Sequence, residues 1–483
     1  MVIDALKYQI LQQFGFVPTE EQGQALDAFA RFLTDRDPDA VMILRGSAGT
    51  GKTSLSGAIV RTLKAIRQKV MLLAPTGRAA KVFSLNSGCP AYTIHRRIYR
   101  EKSFAGVDGQ FNLNDNLFTD TLFMVDEASM ISNLGLGGGN FGSGCLLDDL
   151  VRFVYQGHND RLMLIGDKAQ LPPVGEEESP ALNRMMLEEY GLKVYECDLN
   201  EVLRQSQESG ILYNATVIRQ MITHDDITQL PLIRFKGFAD IVMMPGNELV
   251  ESLANSYYRV GQDETMVITR SNKRANIYNN GIRNMVLDRE DELSCGDMLM
   301  IVKNNYFWTE KERNEAKEAL NAIPPFLANG DRAKVLRVSR HMELYGFRFA
   351  TLLLQFPDYD NYEMSVTALL DTLQSEAPAL THEQQEQLFH GVEEDYQDVP
   401  LKADRMKAIR GDQYFNALQV KYAYAITCHK AQGGQWEHVY VDQGYMTDDM
   451  LTPDYIHWLY TAFTRAKDKL FLVNWPKTQT EQA

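Results

Sequence analysis

The sequence predicts an α/β protein of two tandem domains, each built on a parallel, doubly wound sheet flanked by helices. Short apolar runs of strand length recur along the chain, and each is followed by a polar stretch of helix length. The composition is 45% hydrophobic and 23% charged, which is typical of a globular protein. No run of about eighteen apolar residues occurs, so the sequence predicts no membrane-spanning helix.

The predicted strands fall into two sets along the chain. The first set contains AVMILRG (40–46), VMLLAPT (70–76), TLFMVDEAS (121–129) and RLMLIGD (161–167). The second set contains KVYECDL (193–199), TMVITRS (265–271), QVKYAYAITCH (419–429), HVYVDQ (438–443) and KLFLVNW (469–475). We therefore expect a first domain over residues 1–190 and a second domain formed by residues 191–300 and 416–476.

Segment 301–415 interrupts the second set and shows no further alternation of strands and helices. It contains two short apolar runs, RAKVLRV and FRFATLLLQF, and then an acidic stretch. We interpret it as an inserted, partly β subdomain. The last residues, 477–483, are mostly polar and are expected to be frayed.

The charge and the cysteines limit the choice of partner and compartment. The net charge of -15 argues at first against nucleic acid, because phosphate binding depends on Lys and Arg. However, residues 349–401 contain eleven Asp and Glu and no Lys or Arg, so the rest of the chain has a net charge of only -4. A basic groove elsewhere in the protein is therefore compatible with the sequence. The five cysteines are scattered without a CxxC pair, and the opening residues lack the basic start and apolar run of a secretion signal. We therefore expect a reducing, intracellular compartment.

The clearest local motif follows the first predicted strand. Residues 46–53, GSAGTGKT, fit the phosphate-loop pattern GxxxxGK[ST], and a helix is predicted directly after them. In such a loop the backbone N–H groups surround the β-phosphate, Lys52 reaches the β and γ oxygens, and the Thr53 hydroxyl binds Mg²⁺. The alternative is a glycine-rich turn before a helix, which the strand and helix context disfavours. The predicted nucleotide-binding residues are Gly46, Ser47, Ala48, Gly49, Thr50, Gly51, Lys52, Thr53 and Ser54.

A pair of carboxylates follows the apolar run 121–125. We predict that Asp126 binds Mg²⁺ and that Glu127 is the general base for the attacking water. An Asp-Glu pair at a strand end is also a common helix start, so the functional interpretation depends on the nearby phosphate loop. Gly137 and Gly142 belong to a formal GxGxxG match, but this match follows a loop instead of a strand, and we interpret it as a flexible connector.

A series of short segments resembles the successive motifs of the RecD-like superfamily 1 DNA helicases. In chain order they are GSAGTGKTS, APTGRAA, TIHR, VDEASM, IGDKAQLPPV, LNEVLRQS, ITCHKAQGGQW and YTAFTRAKD. The match as a whole runs from about Thr19 to Asp468, nearly the whole chain. The resemblance implies two RecA-like P-loop domains, with a small β-hairpin inserted in the first and an SH3-like β-barrel inserted in the second.

The resemblance also implies roles around the nucleotide. Gln22 matches the glutamine that reads the adenine, although Thr19 and Gln22 also fit a capping box that begins a helix. Gln170 matches the residue that senses the γ-phosphate, while Asp167 is expected to cap the loop that it begins. Two arginines, Arg204 and Arg465, match those that the second domain of the family directs at the nucleotide. A surface ion pair is the alternative for either arginine.

Other matching positions line the DNA channel in the family. They are Thr76, Arg78, His95, Thr427, His429, Lys430 and Gln432. Tyr306, beside two asparagines, could add a base-stacking surface, although a lone tyrosine is more often half-buried core. Ala431 and Gly434 depart from the commoner HKSQGS-type pattern.

A hairpin and a barrel are expected as insertions. Asp108-Gly109 is a strong hairpin signal within residues 98–118, and the hairpin resembles the pin that splits a duplex, with Phe104 or Phe111 as the wedge. An ordinary surface hairpin is the alternative. Residues 327–338, LANGDRAKVLRV, resemble the start of the family's β-barrel. The acidic segment 349–401 is interpreted as a solvated excursion, or alternatively as a surface that docks a protein partner or repels DNA.

We therefore predict an ATP- and Mg²⁺-dependent helicase that moves on single-stranded DNA and opens duplex junctions. The 5′→3′ polarity, a role in DNA repair and recombination, and a cytoplasmic, nucleoid-associated location are implied by the resemblance alone. We expect a monomer that does not bind membranes. Two alternatives stay open: an RNA helicase of superfamily 1, and a nucleotide-switched binding ATPase.

Overall fold

The computed structural model describes residues 2–104, 109–135, 142–201, 208–224, 227–315, 323–324 and 326–481. Within them, two parallel sheets, a closed five-stranded barrel and a two-stranded hairpin form the framework. No helix in these ranges is both long and apolar enough to cross a bilayer. The predicted α/β class, with tandem parallel sheets, an inserted hairpin and an inserted barrel, is confirmed.

The first domain alternates strands with helices. In chain order its elements are α1 (Val2–Phe14), α2 (Glu20–Thr34), β1 (Ala40–Gly46), α3 (Lys52–Ala65), β2 (Lys69–Ala74), α4 (Gly77–Ser87), β3 (Ala91–Thr93), α5 (Ile94–Ile98), β4 (Tyr99–Phe104), β5 (Gly109–Leu113), β6 (Thr121–Val125), α6 (Leu146–Tyr155), β7 (Arg161–Gly166), α7 (Arg184–Glu189) and β8 (Lys193–Leu199). Strands β4 and β5 form the inserted hairpin, and the other six form one sheet in the order β3-β2-β6-β7-β1-β8.

Strand β1 shows how the sheet positions the phosphate loop. It pairs in parallel with β7 on one side and β8 on the other. All of its residues are buried, and alternate side chains belong to different cores. Met42 and Leu44 pack in one hydrophobic cluster, whereas Val41 and Ile43 pack in another. Because helices cover both faces of β1, the point where the chain leaves the sheet is fixed.

Strand β8 belongs to the first sheet, although the sequence analysis assigned the run 193–199 to the second domain. It pairs with β1 over its whole length, from Lys193 to Leu199. The first sheet therefore extends past residue 190. Arg45 on β1 also donates a hydrogen bond of 2.8 Å to Glu196 on β8. A strand at a sheet edge has the same apolar spacing whichever sheet it joins, so the pattern could not assign it.

The second domain and its insertion follow. In chain order the elements are α8 (Gly210–Thr223), β9 (Ile241–Met244), α9 (Leu249–Arg259), β10 (Thr265–Thr269), α10 (Asn272–Gly281), β11 (Met298–Ile301), α11 (Phe307–Glu315), β12 (Arg332–Leu344), β13 (Phe347–Phe356), β14 (Tyr362–Leu369), α12 (His382–Asp395), α13 (Lys402–Arg410), β15 (Leu418–Tyr422), β16 (Ala425–Thr427), α14 (Cys428–Ala431), β17 (Trp436–Asp442), α15 (Pro453–Phe463) and β18 (Ala466–Val473). The second sheet has the parallel order β16-β10-β17-β18-β9.

The inserted barrel closes in the order β11-β12-β13-β14-β15. Its first and last strands extend beyond the predicted boundaries of 301 and 415. The apolar run 419–429, predicted as one strand, divides between two sheets: β15 pairs with β11 in the barrel, and β16 pairs with β10 in the second domain. Only two residues, Ala423 and Tyr424, separate them, so the barrel is joined directly to the second sheet.

The acidic segment and the carboxyl-terminal residues are both folded where the structure describes them. Helix α12 packs Leu388 and Val392 into a cluster with Phe349 of β13, at one end of the barrel. The expectation of a frayed tail from residue 477 is wrong at least as far as residue 481. Gln479 is buried, and its carbonyl oxygen accepts a hydrogen bond of 2.9 Å from the Ile233 N–H.

Candidate nucleotide-binding site

The phosphate loop connects β1 to α3. Gly49 and Gly51 adopt φ angles of 78° and 76°, in the left-handed region that suits glycine. The Lys52 ammonium lies across the loop and donates a hydrogen bond of 3.0 Å to the Gly46 carbonyl oxygen. Helix α3 begins at Lys52, so the N–H groups of its first turn face this loop. The start of a helix favours a bound anion, because these N–H groups have no acceptor within the helix.

Gln22 supports the loop from α2. It forms the capping box expected with Thr19: each residue's side chain accepts a hydrogen bond from the other's backbone N–H. In addition, Gln22 Nε2 donates a hydrogen bond of 2.9 Å to the Thr50 carbonyl oxygen in the phosphate loop. The side chain is buried and is not among the residues that line the cavity described next. The geometry therefore matches the capping alternative and adds a contact to the loop.

A cavity of about 420 Å³ lies between the two domains, in front of the phosphate loop. Of the residues that the sequence singled out, it is lined by Ser47, Ala48, Gly49, Gly51, Lys52, Thr53, Asp126, Glu127, Asp167, Gln170 and Arg465. Arg204 lies outside the residues that the structure describes. Residues at the strand ends of the first sheet and at the end of α15 thus line the same cavity.

The two carboxylates follow β6 at the bottom of this cavity. Burial and the neighbouring Glu127 raise the pKa of Asp126 to about 6, while the Lys52 charge acts in the opposite direction. Glu127 has a φ of 52°, which is rare for a residue with a side chain. Its Oε2 atom is buried without a hydrogen-bond partner among the described residues, and the same holds for Gln170 Oε1. Two acceptors are therefore available in the cavity for groups of a ligand.

The donor atoms around the cavity suit a hard cation bound together with phosphates. The described residues hold no group of three or more His, Cys, Asp or Glu that could bind a metal by themselves. Thr53 and Asp126, however, supply a hydroxyl and a carboxylate oxygen to the same cavity. Mg²⁺ prefers oxygen ligands and usually keeps several waters or phosphate oxygens. The side chains present fit that requirement.

One arginine of the second domain lines the cavity, and a second contacts the phosphate loop beside it. Arg465 follows α15, is only 3% exposed, and donates hydrogen bonds to the Thr461 and Gly434 carbonyl oxygens at 3.0 and 3.2 Å. Arg219 on α8 donates a hydrogen bond of 2.7 Å to the Ser47 hydroxyl in the phosphate loop. The sequence analysis missed Arg219, because it lies inside a helix and outside every recognised motif.

Helix α15 also contacts the loop that follows β7. The Tyr460 hydroxyl donates a hydrogen bond of 2.6 Å to Asp167 Oδ2, and the Leu171 N–H donates one of 2.8 Å to the Thr461 hydroxyl. Asp167 Oδ1 accepts a hydrogen bond of 3.0 Å from the Ala169 N–H, so the structure contains the predicted loop cap. Burial raises the pKa of Asp167. Tyr460 is a second contact that the sequence analysis missed.

Several predicted channel residues lie where the two domains meet. Arg78 stacks over Trp436 at 4.5 Å and donates a hydrogen bond of 2.9 Å to the Gln435 carbonyl oxygen. Gln432 is buried and donates one of 2.8 Å to the Leu171 carbonyl oxygen. Thr76 caps α4. These three side chains form protein contacts in this structure.

The remaining predicted channel residues differ in exposure. Thr427 and Lys430 are half-buried, and His429 is exposed, at the end of β16 and along α14. Burial lowers the pKa of His95 to about 4, so this imidazole is neutral near pH 7. His95 can therefore offer a hydrogen bond or a stacking face at that pH, but no charge.

The predicted hairpin is present, and one of its aromatic residues contacts the insertion. The Phe111 ring on β5 lies 5.6 Å from the Tyr306 ring, and Tyr306 stacks on Phe326 at 4.9 Å. The side chain of Phe104 and the turn residues 105–108 lie outside the described part of the chain. A row of three aromatic rings thus connects the hairpin to the segment between β11 and β12 of the barrel.

Comparison with known proteins gives matches to both domains. The AAA domain family matches residues 19–226, and the UvrD-like helicase C-terminal domain family matches residues 422–473. The ATP-dependent RecD2 DNA helicase of Deinococcus radiodurans is 30% identical over 157 residues, which cover 32% of this chain and 18% of that protein. An uncharacterized protein of Methanocaldococcus jannaschii is 33% identical over 171 residues, which cover 33% of this chain and 14% of that protein.

These family matches fall on the two domains that share the cavity, in the order that the motifs predicted. The chain is similar to proteins of the RecD-like superfamily 1 helicases. The chain spans less than a fifth of the length of the Deinococcus and Methanocaldococcus proteins. A longer match, 22% identical over 490 residues, covers 89% of this chain and 94% of an uncharacterized protein of Acanthamoeba polyphaga mimivirus.

Solved structures of Pif1 helicases are also similar to this chain. The Bacteroides Pif1 helicase in complex with ADP-AlF3 and ssDNA has a TM-score of 0.47 at 13% identity, with 97% of this chain and 95% of that chain covered. The Candida albicans Pif1 helicase has a TM-score of 0.41 at 17% identity, with 97% of each chain covered.

Proposed function

We propose that the protein is an ATP-dependent helicase that moves along single-stranded DNA and separates the duplex ahead of it. The observation that carries this proposal is the shared cavity, to which the first domain contributes the phosphate loop, Glu127 and Gln170, and the second contributes Arg465. A nucleotide in this cavity would touch both domains, so its hydrolysis would change how they fit together. The RecD2 relative, named as an ATP-dependent DNA helicase, supports the same activity.

In the proposed reaction, each side chain has one task. Lys52 binds the β- and γ-phosphate oxygens, and Glu127 accepts a proton from the attacking water. Gln170, whose Oε1 atom has no partner among the described residues, orients that water and senses the γ-phosphate. Arg465 and, by resemblance, Arg204 neutralise charge on the transferring phosphoryl group, a role worth about 10³–10⁵ in rate in other NTPases.

Mg²⁺ would be held by Thr53 and Asp126 together with the phosphates. When bound, it would neutralise phosphate charge and fix the phosphate geometry. Buried Asp126 suits this task because its carboxylate gains a compensating positive charge when the cation binds. The phosphate loop would hold the nucleotide through the backbone N–H groups of Gly49, Gly51, Lys52, Thr53 and Ser54.

A strand of DNA is proposed to cross both domains at the carboxyl ends of their strands, where open α/β sheets bind ligands. The candidate contacts are Thr76, Arg78, His95, Tyr306, Thr427, His429, Lys430 and Gln432. Arg78 and Gln432 bond across the domain interface in this structure, so their DNA role requires that the interface rearranges. The hairpin, with Phe104 and Phe111, is proposed as the pin at the duplex junction. The 5′→3′ direction follows from the family resemblance.

The cellular setting is also part of the proposal. We assign the activity to DNA repair and recombination in a nucleoid-associated, cytoplasmic location, and to a protein acting as a monomer. The acidic segment 349–401 is proposed as a docking surface for a protein partner. Its described residues include one helix on one end of the barrel, α12, which has an exposed acidic side.

Stimulation of ATP hydrolysis by nucleic acid tests this proposal. Single-stranded DNA and RNA of one sequence should be compared with no nucleic acid, for wild type and Lys52→Ala. We expect DNA to raise kcat by at least about tenfold over the protein alone, RNA to raise it less, and Lys52→Ala to remove the activity. Greater stimulation by RNA would indicate an RNA helicase. Slow hydrolysis indifferent to both polymers would indicate a nucleotide-switched binding protein.

A further inference from the structure

Tyr460 is a second-domain side chain whose hydroxyl is placed between two loops of the first domain. The ring is 1% exposed, on α15. Its hydroxyl donates to Asp167 Oδ2 at 2.6 Å and accepts a hydrogen bond of 3.0 Å from the Ala48 N–H in the phosphate loop. Ala48 and Asp167 both line the nucleotide cavity, whereas Tyr460 does not. One phenol therefore connects the phosphate loop to the loop after β7 without contacting the cavity.

The same helix is bonded to the loop after β7 at two further points. His457 Nδ1 donates a hydrogen bond of 2.9 Å to the Ala169 carbonyl oxygen, and the Leu171 N–H donates one of 2.8 Å to the Thr461 hydroxyl. These contacts lie on either side of Gln170 in the sequence. Arg465 follows one turn after Thr461 and lines the cavity. A shift of α15 would therefore move the surroundings of Gln170 and the arginine together.

The bond to Asp167 cannot be replaced easily by solvent. The Asp167 carboxylate is 3% exposed, so an oxygen atom that loses the phenol has little access to water. A buried polar group without a partner is costly, and its loop tends to adjust to recover one. The Tyr460 ring fills a buried space, and Phe would keep that packing while removing both hydrogen bonds.

We infer that Tyr460 is a positioning residue for hydrolysis, holding Ala48 and the loop that carries Gln170 at a fixed distance from the second domain. This inference rests on the proposed ATPase activity. Because the hydroxyl acts on loops and does not contact the nucleotide cavity, its loss affects the chemical step more than nucleotide binding. Loss of the hydroxyl also weakens the contact between the two domains through which bound nucleic acid stimulates hydrolysis.

Tyr460→Phe tests the inference, with Tyr440→Phe as the matched control. Tyr440 is also fully buried in the second domain, and its hydroxyl is hydrogen-bonded to Ser252 and Ser256 at 2.7 Å each, away from the cavity. The measurements are kcat and KM for ATP with and without single-stranded DNA, the affinity for a fluorescent ADP, and the melting temperature. Both variants lose a buried hydroxyl with two partners, so a general structural effect should be similar in both.

We expect Tyr460→Phe to lower the DNA-stimulated kcat by about tenfold or more, with KM and ADP affinity within about threefold of wild type. Tyr440→Phe should keep kcat within about twofold. Equal kcat in the two variants would overturn the inference, as would a fall in kcat that is matched by weaker ADP binding. If Tyr460→Phe fails to fold, Thr461→Val gives the same test, because Thr461 anchors Leu171 of the same loop.

The outcomes also separate this inference from the proposed function. A wild-type protein that hydrolyses ATP in response to DNA, together with an unimpaired Tyr460→Phe variant, would overturn only the role of Tyr460. A wild-type protein without nucleic-acid-stimulated hydrolysis would overturn the proposed function and this inference with it.

Discussion

At the scale of single residues, the cavity holds polar groups that the folded protein itself leaves without partners. Glu127 Oε2 and Gln170 Oε1 are buried with no hydrogen bond among the described residues. Each such group costs about 1–3 kcal/mol, and the left-handed backbone of Glu127 adds a further cost of about 1–3 kcal/mol. A folded protein retains such costs at sites where a bound ligand supplies the missing hydrogen-bond partner. Both acceptors belong to residues that line the cavity proposed to bind the nucleotide.

Asp331 gives a pH-dependent prediction at the same scale. This carboxylate is buried directly before β12 of the barrel and accepts hydrogen bonds of 2.7 Å from the Tyr359 hydroxyl and the Ala328 N–H. Burial raises its pKa to about 7 in the folded protein, above its ordinary value of 3.8. The folded state therefore holds a proton that the unfolded state has lost between about pH 4 and pH 7. This contribution to stability is present at low pH and is lost as the pH rises through that window.

Asp331→Asn should remove this dependence, because the amide oxygen keeps both hydrogen bonds and cannot ionise. We expect the variant to be more stable than wild type at pH 8 by on the order of a few kcal/mol, and the difference to shrink at pH 5. Thermal unfolding at both pH values measures it. Asp360→Asn, an exposed position in the same barrel, is the control and should follow the wild-type profile. A constant difference between Asp331→Asn and wild type at the two pH values would contradict the prediction.

Sequence reasoning found most of the cavity residues because they follow strand ends. In parallel sheets the carboxyl ends of strands meet at one edge, so a phosphate loop after one strand and carboxylates after another predict a common site. Arg219 and Tyr460 could not be found in this way. They lie inside helices, and their partners in the first domain are more than a hundred residues away in the chain. Only the packing of α8 and α15 brings them to the phosphate loop.

At the scale of elements, the hairpin β4-β5 is connected to the insertion by the ring contact between Phe111 and Tyr306. Aromatic pairs of this kind contribute about 0.5–1.5 kcal/mol beyond their buried area. That energy is small compared with the stability of a domain, but it is large enough to fix the orientation of a two-stranded hairpin. Isolated two-stranded hairpins are only marginally stable. The contact therefore supports the hairpin in the position that a pin at a duplex junction would need.

Phe111→Ala should abolish duplex unwinding while keeping the ATPase stimulated by single-stranded DNA within about twofold of wild type. The reason is that the change removes the side chain at the proposed junction and its support, and leaves the nucleotide cavity intact. Tyr306→Phe is the control, because it keeps a ring against Phe111 and should still unwind. Strand displacement and ATPase assays on the same preparations measure both activities. Parallel loss of both activities in Phe111→Ala would mean a folding defect and would count against the pin.

The element order could be predicted from the sequence, but the assignment of strands to sheets could not. Strand β8 and the two halves of the run 419–429 were placed incorrectly for the same physical reason. Hydrophobic spacing shows that a strand has a buried face, but it does not show which other strand it pairs with. Strand β15 joins the barrel and β16 joins the second sheet, although only two residues separate them. Pairing between segments distant in sequence decides such cases.

At the scale of the whole molecule, side chains of the second domain hold the first domain at several points around one cavity. Arg219 bonds to Ser47, and helix α15 bonds to the loop after β7. The barrel takes part as well: Lys81 on α4 donates a hydrogen bond of 2.9 Å to the Pro357 carbonyl oxygen. In the proposed function, a nucleotide that binds between the domains would act on the hairpin, the barrel and the strand channel at once. The proposed function requires such an arrangement, because hydrolysis has to be converted into movement.

Strand displacement on two matched duplexes tests this account most directly. One duplex carries a 5′ single-stranded tail and the other a 3′ tail, and wild type is compared with Glu127→Gln, which keeps the shape of the side chain but cannot serve as the base. We expect wild type to unwind only the 5′-tailed duplex, and Glu127→Gln to bind the same DNA but to unwind neither. Unwinding from the 3′ tail alone, or no displacement by protein that still hydrolyses ATP, would contradict the account.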